Sequence, residues 1–78
     1  MRVSIIVSGQ KVELPVSKDQ KIGRLCKEAL AKVGFPTDED WEMRDSDGKL
    51  LEHDVRIYAY QIKGGQTLYL SPKAGVGA

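Results

Sequence analysis

Met1-Arg2-Val3-Ser4-Ile5-Ile6-Val7-Ser8-Gly9-Gln10-Lys11-Val12-Glu13-Leu14-Pro15-Val16 is the stretch that decides the fold. Met1, Val3, Ile5 and Val7 recur with a period of two, which places them on one face of a strand. Ser8-Gly9-Gln10 supplies turn chemistry. Val12, Leu14 and Val16 then alternate with Lys11, Glu13 and Pro15. The stretch therefore predicts a β-hairpin with one buried face. Pro15 cannot donate a ladder hydrogen bond, so the second strand belongs at a sheet edge or carries its proline at the rim.

Beyond the hairpin the period changes. Ile22, Leu25, Cys26, Ala29, Leu30 and Val33 recur at helical spacing, while Lys21, Arg24, Lys27, Glu28 and Lys32 fall on other faces. Ser17-Lys18-Asp19-Gln20 resembles a capping box with Ser17 as N-cap, and Asp19 is the alternative cap. Gly34 suits a left-handed position just past a helix, and Pro36 prevents continuation. These signals predict a helix from about residues 18–20 to 33. Trp41-Glu42-Met43-Arg44 alternates again and predicts a third strand. Asp45-Ser46-Asp47-Gly48 reads as a turn and Leu50-Leu51 as a short fourth strand. Val55, Ile57, Tyr58 and Tyr60 suit a loop and short helical turn. Gly64-Gly65 marks another turn, and residues 66–70 make the last strand.

A helix with one apolar stripe must cover the apolar face of a sheet. The last strand can then pair in parallel beside the first, through the long crossover. The expected class is α+β, a ββαββ mixed sheet covered by one amphipathic helix, which is a β-grasp. Residues 1–71 form the expected domain and residues 72–78 a flexible C-terminal tail, because Ser71-Pro72-Lys73 does not readily extend a strand. Gly75-Val76-Gly77-Ala78 is nearly free of side chains. Glycine has no Cβ and passes through narrow channels, so such a tail suits threading into a partner's active site.

Composition narrows the function. The chain has 78 residues, enough for one small domain. Its net charge is +1, from twelve basic and eleven acidic side chains, so no strong field recruits nucleic acid or anionic lipid. Apolar runs such as Ile5-Ile6-Val7 are far too short for a bilayer. Met1-Arg2 leads directly into a strand with no secretory leader, and the expected compartment is the cytoplasm. One cysteine, Cys26, excludes an internal disulfide framework.

The ordered pieces resemble ubiquitin. Asp47-Gly48-Lys49-Leu50-Leu51-Glu52 is similar to its turn, lysine and short strand; Tyr60-Gln61-Ile62 to its Tyr-Asn-Ile; and Thr67-Leu68-Tyr69-Leu70 to its Thr-Leu-His-Leu last strand. The resemblance covers nearly the whole chain. Closer still is a group of bacterial ubiquitin-like proteins, through Trp41-Glu42-Met43-Arg44-Asp45, the Asp47-Gly48 turn and the tail from Leu70 to Gly77. Genes of that group accompany E1-like and E2-like enzymes and a processing peptidase. The resemblance implies a protein modifier that is itself no enzyme and binds no cofactor. An E1-like partner would adenylate its C-terminal carboxylate with ATP and Mg²⁺, and a partner cysteine would take it as a thioester. An E2-like enzyme would then pass it to a target protein.

Counted from Leu70, Gly77 falls where ubiquitin's terminal glycine falls. Gly77 is thus the expected activated residue, with Gly75, Val76 and Gly77 threading the partner's channel. Ala78 is either a one-residue extension removed at the Gly77–Ala78 bond or is itself activated; register and the small size of glycine favour removal. Two departures from ubiquitin stand out. Val76 is stiff at χ1, which implies dedicated enzymes rather than ubiquitin's own. The positions near ubiquitin's apolar recognition patch are here Ser8, Glu42 or Arg44, and Ser71, so receptors of that patch are not expected to bind.

Other constellations carry less. Cys26 lies on the apolar stripe with no evident base and reads as a buried structural thiol. His53 has no second ligand at metal spacing and reads as a surface loop residue. Asp45-x-Asp47-Gly48 fails the calcium-loop pattern, with Met43 at the first ligand position and Asp54 at the last. Asp38-Glu39-Asp40 reads as a solvated acidic loop that could dock a basic partner, and Lys49 as a solvated turn lysine. Trp41 and the three tyrosines are expected at core or half-buried sheet positions. Two further functions fit the same fold. One is a non-covalent ubiquitin-like adaptor resembling components of bacterial type VII secretion. The other is a sulfur carrier, against which Val76 and Ala78 count.

Overall fold

β1 (Arg2–Val7) and β2 (Gln10–Pro15) form the hairpin that the alternation predicts. In the computed structural model, which describes residues 1–36 and 40–73, they pair antiparallel, with Val3 opposite Leu14 and Ile5 opposite Val12. Their turn, Ser8-Gly9, has φ of 48° and 83°. Two positive φ values give a turn whose twist matches that of the flanking strands. Val3, Ile5 and Val7 are buried. β2 is an edge strand, which is where Pro15 is tolerated.

α1 (Ile22–Val33) starts later than residues 18–20. The capping-box bonds do form: Ser17 N–H donates to Gln20 Oε1 at 3.3 Å, and Asp19 N–H donates to Ser17 Oγ at 3.4 Å. They close a separate turn that precedes the helix. Lys21 is the N-cap and contributes no side-chain bond. The first helical N–H groups are satisfied from far along the chain instead. Ile22 N–H donates to the Val55 carbonyl and Gly23 N–H to the His53 carbonyl, each at 3.0 Å. At the other end Gly34 is left-handed, with φ of 82°, as the sequence predicts.

β3 (Trp41–Arg44) and β4 (Leu50–Leu51) pair antiparallel. The Asp45 carboxylate holds their connection by accepting from the N–H groups of Asp47 and Lys49, both at 2.9 Å. A single 3₁₀ turn, Ile57–Tyr60, follows, and then β5 (Thr67–Pro72). The sheet order is β2-β1-β5-β3-β4, with β5 parallel to β1 and antiparallel to β3. The chain order is therefore ββαβββ, one strand more than ββαββ, because the two residues of β4 do join the ladder. The fold is α+β: a mixed five-stranded sheet with one helix packed on it. Ile22, Leu25 and Leu30 of α1 meet Ile5, Met43, Leu68 and Leu70 in one core. Each such side chain contributes about 1.5–3 kcal/mol by leaving water.

β5 runs through Pro72, past the expected boundary at residue 71. β1 has ended opposite Leu70, so the last residues of β5 pair with β3 alone. There Pro72 faces Trp41, and a missing N–H leaves no neighbour unbonded on the open side. No helix among the described residues is long and apolar enough to cross a membrane.

Candidate functional site

The antiparallel pairing of β3 and β5 brings the end of β5 beside Asp40 and Trp41. Lys73 N–H donates to the Asp40 carbonyl at 3.0 Å, one step beyond the Trp41–Pro72 pair. Trp41 is 7% exposed and stacks on Phe35, with ring centroids 5.7 Å apart. Its indole Nε1–H is shielded from water and has no acceptor. An unpartnered buried donor costs about 1–3 kcal/mol, so it is a position that the fold tolerates at some expense.

Trp41 lines two depressions, together with Asp40, His53 and Asp54. The first, about 370 Å³, lies between β4, the segment after it and the end of β5. Leu50, Leu51 and Val55 give it apolar surface, and Asp40, Glu52 and Asp54 stand around it with the cation Lys73. None of these three carboxylates forms an ion pair among the described residues. Glu42, also at the groove, is engaged: Arg44 Nη2 donates to it at 3.0 Å. The second depression, about 610 Å³, lies against α1. Lys21, Arg24 and Lys27 line its helical wall, with Arg24 paired to Glu28 at 3.3 Å.

Cys26 and His53 meet in the second depression, with Sγ 3.7 Å from Nε2. This corrects the reading that Cys26 has no base nearby, since the bonds from the start of α1 to residues 53 and 55 draw His53 over it. The pairing does not make a nucleophile. Cys26 is 3% exposed, and burial pushes its thiol from 9.0 up to about 12, with only a smaller opposing effect from a backbone hydrogen bond. It stays protonated at neutral pH and fills core space, as expected. Among the described residues, no three His, Cys, Asp or Glu side chains gather as metal ligands.

The outer face of the sheet carries a cross-strand row of Lys11, Ile6, Tyr69, Arg44 and Leu50. Tyr69 is 45% exposed, because it alternates with the buried Leu68 and Leu70. Tyr58 is exposed as well, so two of the three tyrosines lie outside the expected core or half-buried positions. Tyr60 is partly buried; its hydroxyl accepts the Glu52 N–H at 2.9 Å, and its ring lies 5.3 Å from Lys49 Nζ. Glu42 lies opposite Ser71 and is tied to Arg44, so these three positions form a polar surface.

Gly75, Val76, Gly77 and Ala78, the residues expected to thread, be cleaved and react, lie outside the described residues, as do Asp38 and Glu39. The two depressions and the Cys26–His53 approach had no periodic signature in the sequence. The acidic residues at 40, 52 and 54 were visible, but only the β3–β4 pairing places them around one groove.

An uncharacterized protein of Sinorhizobium fredii (y4jI) is 32% identical over 79 residues, covering 97% of this chain and 60% of that protein. The chain thus spans about 60% of the length of the relative it matches. Residues 1–78 match a family described as Protein of Unknown function (DUF2604), and the chain belongs to that family.

Proposed function

We propose that this chain is a ubiquitin-like β-grasp protein modifier, activated at Gly77 by an E1-like enzyme and passed through an E2-like enzyme to a target protein. The observation that carries the reading is the parallel pairing of β5 with β1 at the centre of the sheet, bridged by α1. This topology delivers the chain at Lys73 to one end of a rigid body, directly before Ala74-Gly75-Val76-Gly77. A rigid body that is bound and oriented makes the reaction of an attached carboxylate effectively unimolecular.

A peptidase first hydrolyses the Gly77–Ala78 bond, which frees the Gly77 carboxylate whatever follows Ala78. That carboxylate attacks the α-phosphate of ATP, held with Mg²⁺ on the partner, and pyrophosphate leaves. A partner cysteine thiolate displaces AMP and forms a thioester, which an acceptor nucleophile on the target then resolves. The domain supplies the carboxylate and the recognition surface and performs none of the catalysis. Ala78 and Val76 speak against a sulfur carrier ending in two glycines.

The test is the intact mass of the protein recovered from cells of its source, in which any E1-like, E2-like and peptidase partners are present. Loss of everything after Gly77, or a covalent adduct through Gly77, is the expected result, and Gly77→Pro should abolish the adduct. A chain that stays whole and works unchanged without residues 75–78 overturns the reading in favour of a non-covalent adaptor.

A further inference from the structure

We infer that the groove beside the end of β5 is a docking site for an extended basic peptide segment of a partner protein. The groove combines an apolar floor with a rim of one dominant charge. Leu50 is 45% exposed at its edge, and the buried Trp41 forms part of the floor. Asp40, Glu52 and Asp54 stand around it without ion-pair partners among the described residues; Lys73 is the cation of its lining, and Asp40 and Asp54 also border the depression lined by Lys21, Arg24 and Lys27. The nearby Glu42 is neutralised by Arg44. Charge complementarity therefore selects a cationic occupant and repels phosphate-bearing ones.

One feature makes that occupant a peptide rather than a simple cation. Exposed leucine and a tryptophan floor gain from contact with an apolar side chain, which a bare cation lacks. The inference stands on the folded body and holds whether or not Gly77 is activated.

The sole tryptophan lines the groove and reports on its occupancy. The full chain is titrated with a short end-blocked peptide of alternating arginine and leucine, followed by Trp41 fluorescence and by the nuclear magnetic resonance signal of its indole N–H. Saturable binding that weakens steeply with added salt is expected, with the indole signal shifting. Replacing Glu52→Gln and Asp54→Asn together should weaken binding by about tenfold, since each removes a charge-assisted partner. Both side chains are exposed, and an unchanged melting temperature would establish that the variant is folded. Glu13→Gln, at the opposite edge where Glu13 meets Arg2, should bind as the parent does. Absence of saturable binding by either signal overturns the inference. So does equal binding of a glutamate–leucine peptide, equal affinity for spermine, or parental affinity in the double variant.

Discussion

The two ends of α1 are finished by different means. At Gly34 the helix closes on itself: Gly34 N–H donates to the Ala31 carbonyl at 3.2 Å, and Phe35 N–H to the Leu30 carbonyl at 2.9 Å. At Ile22 and Gly23 it borrows the carbonyls of Val55 and His53. The first end needs only its own sequence and a residue that tolerates a left-handed backbone. The second exists only once residues 53–57 have been laid against residues 18–23, where Ile57 N–H also donates to the Gln20 carbonyl at 2.9 Å. The placement of residues 53–55 near the end of β5 depends on this second, non-local closure. It positions His53 over Cys26 and sets Asp54 beside the acidic groove.

Gly23→Val should break the non-local end most severely. A Cβ at Gly23 would stand 3.2 Å from His53 Cβ and 3.3 Å from the His53 carbonyl oxygen, and a branched side chain adds to that crowding. A loss of about 2–3 kcal/mol is expected, of the size that overpacking produces. Denaturant melts check the magnitude. Amide exchange should place the damage at residues 22, 23 and 53–55. A variant as stable as the parent would mean that the His53 segment does not clamp the helix.

Gly34→Ala tests the local end and should cost less, about 1 kcal/mol. Nothing lies within 4 Å of a Cβ built there, so the penalty comes from the backbone angle alone. Asparagine at the same position, which tolerates positive φ better, should recover part of the loss. Equal costs for alanine and asparagine would point to a steric cause and erase the contrast between the two ends.

The same contrast governs how far the sequence could be read. The hairpin, the apolar stripe of α1 and Gly34 follow from spacing within a few residues, and the structure places them as expected. Ser17 and Gln20 misled, because reciprocal bonds of a capping box can close a turn that stops before a helix. Pro72 misled in the opposite sense: a proline ends a central strand, but β5 is central only as far as Leu70. The groove was not legible, because Asp40 and Asp54 are separated by a strand, a turn and another strand. The tail proposed to react, by contrast, was read from residue type and register alone, and residues 74–78 lie outside the described part.

Cys26 gives the smallest and most specific effect, because at neutral pH its thiol behaves as core filling. The folded thiol titrates near 12, above its ordinary 9.0, so the neutral form is the one that the fold stabilises. Its contribution to stability is therefore complete below pH 9 and declines as pH rises towards 12. The difference in stability between the parent and Cys26→Ala should be flat below pH 9. Above that it should change against the parent, by at most about 1.4 kcal/mol per pH unit. Iodoacetamide should label the folded thiol at neutral pH far more slowly than the urea-unfolded chain, and His53→Ala should leave that rate low. Fast labelling that vanishes in His53→Ala would instead mean that the 3.7 Å approach of His53 sustains a thiolate. The non-local end of the helix would then hold a reactive group as well as a clamp.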